Sequence, residues 1–299
     1  MDMKRNETKA GFVAVVGRPN AGKSTLLNFL AGEKLAMVSK KAQATRKRMN
    51  IIVMHEEAQI IFVDTPGIHE KEKLLNRFML EEAMKAIGDA ELILYLAPVQ
   101  DSLKEYEKFL RIIQERDIPH IVVLSKTDRV SNEKVLEKIT DYRKYQERFE
   151  ALIPCSTKEK GCAGHLLDTI VKYLPVHPWY YDPELMTTEN IRDIYRELIR
   201  EAIFEKLSDE IPYESDVVVD RVEEGEDIDR VFATIVTEKE SQKRMIVGKG
   251  AQSIRRLGSH ARKTMERFSG KKIYLDLHVV VRKGWSKNRK SLEELGYIF

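Results

Sequence analysis

The chain has 299 residues, enough for two domains with their own cores, and its 42% apolar, 33% charged composition is that of a globular protein in water. Its longest apolar run, Leu92–Val99, falls far short of the roughly 20 residues of a spanning helix, and Met1–Lys9 is polar. Neither a transmembrane segment nor a secretory leader is expected, and a cytoplasmic location is. A net charge of +3 excludes little, but it is unevenly spread: Lys239–Phe299 holds sixteen Lys or Arg against five Asp or Glu, which points to a polyanion-binding end. The two cysteines, Cys155 and Cys162, have the spacing of neither a metal knuckle nor a C-x-x-C pair, so free thiols are expected.

In chain order, the apolar run Gly11–Val16 predicts a strand, and it runs into Gly17-Arg18-Pro19-Asn20-Ala21-Gly22-Lys23-Ser24, followed by the helical pattern Thr25–Leu30. This is a complete phosphate-binding loop in strand–loop–helix context. Backbone N–H groups wrap the phosphates, the helix dipole faces the same charge, Lys23 reaches the β- and γ-phosphates, and Ser24 supplies a hydroxyl to Mg²⁺. Next comes the basic segment Ser39–Arg48, read as a solvated loop, in which Thr45 is the candidate to complete the Mg²⁺ shell. Asn50–His55 and Gln59–Val63 predict a hairpin whose second strand delivers Asp64-Thr65-Pro66-Gly67-Ile68. Asp64 is placed to hold Mg²⁺ through water, and the Gly67 N–H to sense a γ-phosphate.

Helices are predicted over Lys73–Ile87, Ser102–Glu115, Asn132–Gln146 and Ala163–Tyr173, alternating with Val/Ile/Leu-rich strands. The pattern predicts an α/β fold, a mostly parallel sheet covered on both faces. The strand Ile121–Leu124 ends in Ser125-Lys126-Thr127-Asp128, where a carboxylate can accept from both N1–H and the 2-amino group of guanine, a donor pair adenine lacks. Ala151–Pro154 leads to Cys155-Ser156-Thr157-Lys158, a further strand-end loop beside the base. These elements, in this order, resemble the GTPase domain of the Ras-like P-loop superfamily. Against that pattern Ser125 replaces Asn, Thr157 replaces Ala, and Ile68 stands where a water-orienting Gln is usual, so slow intrinsic hydrolysis is expected. Asn20 matches the position linked to potassium in related GTPases; holding the loop is its other reading.

Three prolines between Pro175 and Pro183 mark a linker, and Trp179, Tyr180 and Tyr181 are read as apolar glue between two domains. The domains are drawn at 9–177 and 190–299, with the linker at 178–189. Beyond it, Thr188-Glu189-Asn190 starts a helix, Asp216–Val222, Ile228–Thr237 and Lys272–Val281 predict strands, and Arg244–Gly258 carries a basic, small-residue loop into a long helix. This order resembles a type II KH domain, an α+β module that clamps single-stranded RNA on a G-X-X-G loop. Here the loop is Gly248-Lys249-Gly250-Ala251, with Ala251 in place of the second glycine. Lys243, Lys249, Arg255 and Arg256 are the candidate backbone contacts, with Ile246, Val247 and Ile254 as apolar contacts to bases.

The combination, with Gln43-Ala44-Thr45-Arg46, Gly284-Trp285 and Leu295-Gly296-Tyr297, resembles the Era family of bacterial GTPases over nearly the whole chain. The resemblance implies a Mg²⁺-dependent GTP/GDP switch that binds the 3′ end of 16S ribosomal RNA and acts in 30S subunit assembly. It also implies a monomer with peripheral association at the inner face of the cell membrane. Competing readings are a P-loop kinase or ATPase, a tRNA-modifying GTPase of the same superfamily, and an RNA-binding scaffold with a decayed GTPase half. Asp128 and the KH-like half speak against the first two.

Overall fold

A computed structural model of the protein describes residues 7–38, 45–67, 74–114, 116–208 and 210–297. The chain divides into two compact units, the first built mainly of residues up to Thr188 and the second mainly of Glu189 onward.

The first unit is a six-stranded sheet in the order β2-β3-β1-β4-β5-β6, made of β1 (Lys9–Val16), β2 (Met49–His55), β3 (Ala58–Asp64), β4 (Leu92–Pro98), β5 (His120–Ser125) and β6 (Ala151–Cys155). All neighbours pair in parallel except the β2–β3 hairpin. The helices α1 (Lys23–Ala31), α2 (Leu74–Gly88), α3 (Leu103–Ile113) and α4 (Asn132–Tyr142) lie between the strands, and α5 (Lys160–Tyr173) follows β6. Because β3 and β4 are buried along their whole length, their sequences read as apolar runs rather than alternation, broken in β3 only by Gln59 and the terminal Asp64. The parallel order brings the carboxyl ends of β1, β3, β5 and β6 to one edge, and the loops carrying Lys23, Asp64, Asp128 and Ser156 start there, while Thr45 lies between α1 and β2. The helix expected over Asn132–Gln146 ends early, at Tyr142, and continues as a tighter 3₁₀ turn through Arg148.

The aromatic linker is tied along the β2–β3 side of the first unit. The buried Gln59 amide accepts from the backbone N–H groups of Tyr180 (2.8 Å) and Tyr181 (3.0 Å) and donates to the Tyr181 carbonyl (2.8 Å). Trp179 donates from Nε1 to Glu57 O at 3.2 Å, and Tyr180 packs on Phe12 with ring centroids 5.3 Å apart. Thr187 bridges to Ile51, which covers part of the exposed β2 edge. The contacts of these aromatics thus anchor the linker within one unit, where the sequence suggested glue between two.

The second unit opens with α6 (Ile191–Lys206), capped by Asn190, and then carries β7 (Ser215–Glu223), β8 (Ile228–Thr237), α7 (Glu240–Val247), α8 (Gln252–Ser269), β9 (Lys272–Val281) and α9 (Arg289–Glu294). Its sheet has the order β7-β8-β9, with β7–β8 antiparallel and β8–β9 parallel, as the right-sized helical crossover through α7 and α8 permits. Inward residues such as Val231, Ala233, Ile235 and Ile273 form a core with Ile199, Ala202, Leu257 and Met265 from the helices. Asp216, fully buried, accepts from Arg196 Nη2 at 3.0 Å and from the Tyr297 hydroxyl, which fastens the C-terminal segment to α6 and β7. Among the described residues, no helix is long and apolar enough to cross a membrane.

Candidate functional site

Backbone geometry shapes the first loop. Gly17 sits where a Cβ would lie 2.8 Å from the Leu96 carbonyl, and Gly22, at φ 106°, turns the chain into α1. Asn20 holds the left-handed region at φ 62°, as does Lys126 at φ 60° in the loop after β5. Such strain persists where surrounding contacts enforce it. Those contacts are present: Lys126 Nζ donates to Asn20 O at 2.6 Å, and Ser125 Oγ donates to Ala21 O at 3.1 Å. The Ser125 hydroxyl therefore ties the β5 loop to the phosphate-type loop, the tie that the replacement of Asn by Ser put in question. Thr65, buried, adds another by donating to Val15 O at 2.7 Å.

Lys23, in the first turn of α1, is 7% exposed and donates to Gly17 O at 3.2 Å and Arg18 O at 3.4 Å. Burial lowers its pKa to about 8, partly opposed by the Asp64 carboxylate. Ser24, Thr45 and Asp64 converge: Ser24 Oγ donates to Asp64 Oδ2 at 2.8 Å, Thr45 Oγ1 lies 3.4 Å from the same oxygen, and the two hydroxyls are 3.3 Å apart. Two hydroxyls and one carboxylate are hard oxygen donors, the set Mg²⁺ takes alongside water and phosphate. Gly67 packs so closely that a Cβ would lie 2.7 Å from Pro19 N. Ile68, Gln43 and Ala44 lie outside the described residues.

Arg18 makes no phosphate-type cradle of its own. Its guanidinium forms a two-pronged pair with Asp101, through Nε and through Nη2 at 2.6 Å, and that hydrogen bond raises its pKa. Asp101 escaped the sequence reading because it belongs to no motif; it lies 83 residues away, in the loop between β4 and α3.

A cavity of about 160 Å³ lies beside this loop and is lined by Gly22, Thr25, Ser125, Asp128, Cys155 and Thr157, among others. Asp128 accepts from Ser156 Oγ at 3.0 Å and pairs with Lys158 Nζ at 2.6 Å; the Lys158 hydrogen bond is the main reason its pKa is lowered. The cysteines are not free thiols: Cys155 and Cys162 are joined by a disulfide, because the loop from β6 turns directly into α5 and returns the chain to within 5.6 Å between Cα atoms.

In the second unit, the Gln242 amide organises the start of α7, accepting from Thr237 Oγ1 (2.7 Å) and from Lys239 N (3.0 Å). The helix ends at Gly248, φ 73°, whose Cβ would meet Ser253 Cβ at 2.7 Å. Gly250 (φ 57°) and Ala251 (φ 61°) then take left-handed backbone in succession before α8 begins. Lys249, Arg255 and Arg256 are exposed and Lys243 half-buried. Ile254 and Arg255 line a groove of about 600 Å³ between α8 and β9, joined by Arg262 and Tyr274, which the sequence reading did not single out as contacts. Ile246 does not face this groove. Its side chain is fully buried in the core and Val247 packs against that core, because an eight-residue helix has one apolar face and the interior takes it.

Comparison with known proteins agrees with both halves. Residues 12–126 match the family described as 50S ribosome-binding GTPase, and residues 198–286 match the KH domain family. The chain is 52% identical over 98% of its length and 98% of the other to GTPase Era of Helicobacter pylori strain G27. It is 50% identical to GTPase Era of Campylobacter concisus, over 97% of this chain and all of that one. Among solved structures, Aquifex aeolicus Era bound to GDP and AlF4⁻ superposes with a TM-score of 0.93 at 31% identity, over 98% of this chain and 100% of that one. Era in complex with MgGDPNP and nucleotides 1506–1542 of 16S ribosomal RNA gives the same TM-score, identity and coverage. Matched almost end to end, with a phosphate-loop GTPase unit followed by a KH unit, this chain belongs to the Era family of GTPases.

Proposed function

We propose that the chain is a Mg²⁺-dependent GTP/GDP switch whose second unit binds single-stranded RNA. The observation that carries this reading is the convergence of Ser24, Thr45 and Asp64 beside the buried Lys23 ammonium. Backbone N–H groups of Gly17–Thr25 wrap the phosphates, Lys23 leaves its carbonyl acceptors to counter phosphate charge, and the Gly67 N–H senses the γ-phosphate. Ser24, Thr45 and Asp64 would hold Mg²⁺, which would supply neutralisation of the phosphate charge. Asp128 accepts from guanine once Lys158 gives way, with Ser156 and Thr157 bordering the base. Thr65 and Pro66 complete the loop around the γ-phosphate. Because an apolar Ile68 cannot orient water, turnover depends on backbone, a second cation or a partner. Asn20, exposed and left-handed, is the proposed potassium ligand.

For the second unit, Lys249, Arg255, Arg256 and Lys243 hold the RNA backbone, Gly248–Ala251 approaches the phosphates, and the Ile254 groove receives bases. Since a solved relative carries nucleotides 1506–1542 of 16S ribosomal RNA, the RNA proposed here is the 3′ end of that molecule and the process is 30S subunit assembly. The domain limits proposed for the two activities are 9–177 and 190–299, joined by 178–189. The same reading includes a monomer in the cytoplasm that visits the inner face of the membrane through its basic second unit, an association that salt removes.

Competition of GTP, GDP and ATP for fluorescent GDP tests the guanine assignment, and equal competition by ATP would refute it. Titrating one RNA into the GDP-bound and GTP-analogue-bound forms tests the switch: coupling must be reciprocal, and identical affinities mean two independent modules.

A further inference from the structure

The loop that supplies Ser156, Thr157 and Lys158 starts at Cys155 and returns at Cys162, and a disulfide closes it at its base. Cys155 lines the cavity beside Asp128, and Ser156 and Lys158 both bind that carboxylate. We propose that Cys155 and Cys162 form a reversible thiol–disulfide site that sets guanine-nucleotide affinity. The inference rests on the guanine reading above.

With the bridge closed, Ser156, Thr157 and Lys158 are carried on a short covalent ring, so the loop beside the base is already ordered when Lys158 gives way to guanine at Asp128. With it open, the exposed stretch Thr157–Glu159 is tied only through neighbouring contacts, so nucleotide binding has to order it. Cys162 is the more accessible end, at 9% exposure against 2% for Cys155, so an incoming thiolate meets its sulfur first. Reduction by a dithiol begins when its thiolate attacks the Cys162 sulfur. The S–S bond breaks, its electron pair goes to Cys155, and Cys155 takes a proton. The second thiol of the reductant then displaces Cys162, which leaves as a thiol, and the reductant departs as a disulfide. Oxidation is the reverse, with a disulfide as the oxidant. Two electrons and two protons are exchanged in each direction.

The full-length protein, equilibrated with dithiothreitol or with its cyclic disulfide, is alkylated and digested to verify the bridge by mass, and fluorescent GDP is titrated into each form. If the opened loop is in place about a tenth to a third of the time, the bridged form binds GDP about three- to tenfold more tightly. By linkage, GDP shifts the dithiothreitol equilibrium towards the bridged form by the same factor. Cys162→Ala matches the reduced protein and no longer responds to the couple; if that variant is unstable, the GDP-induced shift in the wild type decides. Equal GDP affinity in two verified redox states overturns the proposal, as does a bridge that fails to form under the oxidant. Loss of GDP binding in both states would instead remove the guanine reading, and this proposal with it.

Discussion

Ala251 is the position at which a single substitution best tests the loop geometry of the second unit. Its backbone lies at φ 61°, ψ 22°, immediately after Gly250 at φ 57°. An L-residue in that region costs about 1–2 kcal/mol, because Cβ crowds the following carbonyl. Ala251→Gly removes this cost but returns conformational freedom to the unfolded chain, worth about 0.4–1 kcal/mol against folding. The net expectation is a stabilisation of about 0.5–1 kcal/mol, which at a urea slope near 2 kcal/mol/M raises the midpoint by about 0.3–0.5 M. Urea unfolding followed at the buried Trp285, in a Trp179→Phe background, reports on the second unit. Gly250→Ala is the matched control: nothing lies within 4 Å of the added Cβ, so only the backbone term acts and the sign reverses. A neutral or destabilising Ala251→Gly, together with a neutral Gly250→Ala, would refute the argument that this loop stores left-handed strain.

Four further outcomes are expected. Phosphate beside Lys23 restores a pKa that burial lowers to about 8, so at pH 8 GDP binding takes up about half a proton and affinity falls as pH rises further. Calorimetry in buffers of different ionisation enthalpy measures this uptake, and none at pH 8 would remove Lys23 from the phosphate. In the free protein the sign is separate: the unfolded lysine holds its proton to higher pH, so the cost of burying Lys23 is relieved between about pH 8 and 10.5. Ser125→Ala deletes the tie to Ala21 O and should weaken GDP binding about fivefold, the worth of roughly 1 kcal/mol. Asp128→Asn should shift preference to xanthine nucleotides, whose carbonyl accepts from an amide; retained guanine preference in competition assays would exonerate Asp128. RNA affinity carried by Lys243, Lys249, Arg255 and Arg256 should fall with a log–log salt slope of about −2.8, roughly 50-fold between 50 and 200 mM, and Arg255→Ala should shallow it by about 0.7.

The strand–loop–helix around Lys23 and the motif ends of β3, β5 and β6 were legible because their chemistry is local: glycine at a tight turn, a carboxylate at a strand end. The strands of the second unit were legible for the same reason, through alternation and turn residues. Four features were not. Asp101 on Arg18 and Gln59 on the linker are pairings across 83 and 122 residues, with nothing in the local pattern to mark them. Ser125 looked like a loss by comparison with the family motif, yet its short hydroxyl reaches a carbonyl because Asn20 and Lys126 bend their backbones to bring the loops together. Ile246 was misassigned because two turns of α7 offer too little periodicity to separate the face that meets the core from the one that meets a groove.

The hydrogen bonds around Lys23 and Asp128 bear on how fast nucleotides exchange. Lys23 is held by the carbonyls of its own loop, and Asp128 by Ser156 and Lys158, so each charge already has an internal substitute for the ligand group it would meet. An incoming nucleotide trades one set of partners for another instead of ordering a collapsed pocket, and a departing one leaves no charge stranded. On the guanine-nucleotide reading, what each nucleotide meets on entry and exit is therefore an exchange of hydrogen-bond partners at Lys23 and Asp128, not the making or collapse of a pocket.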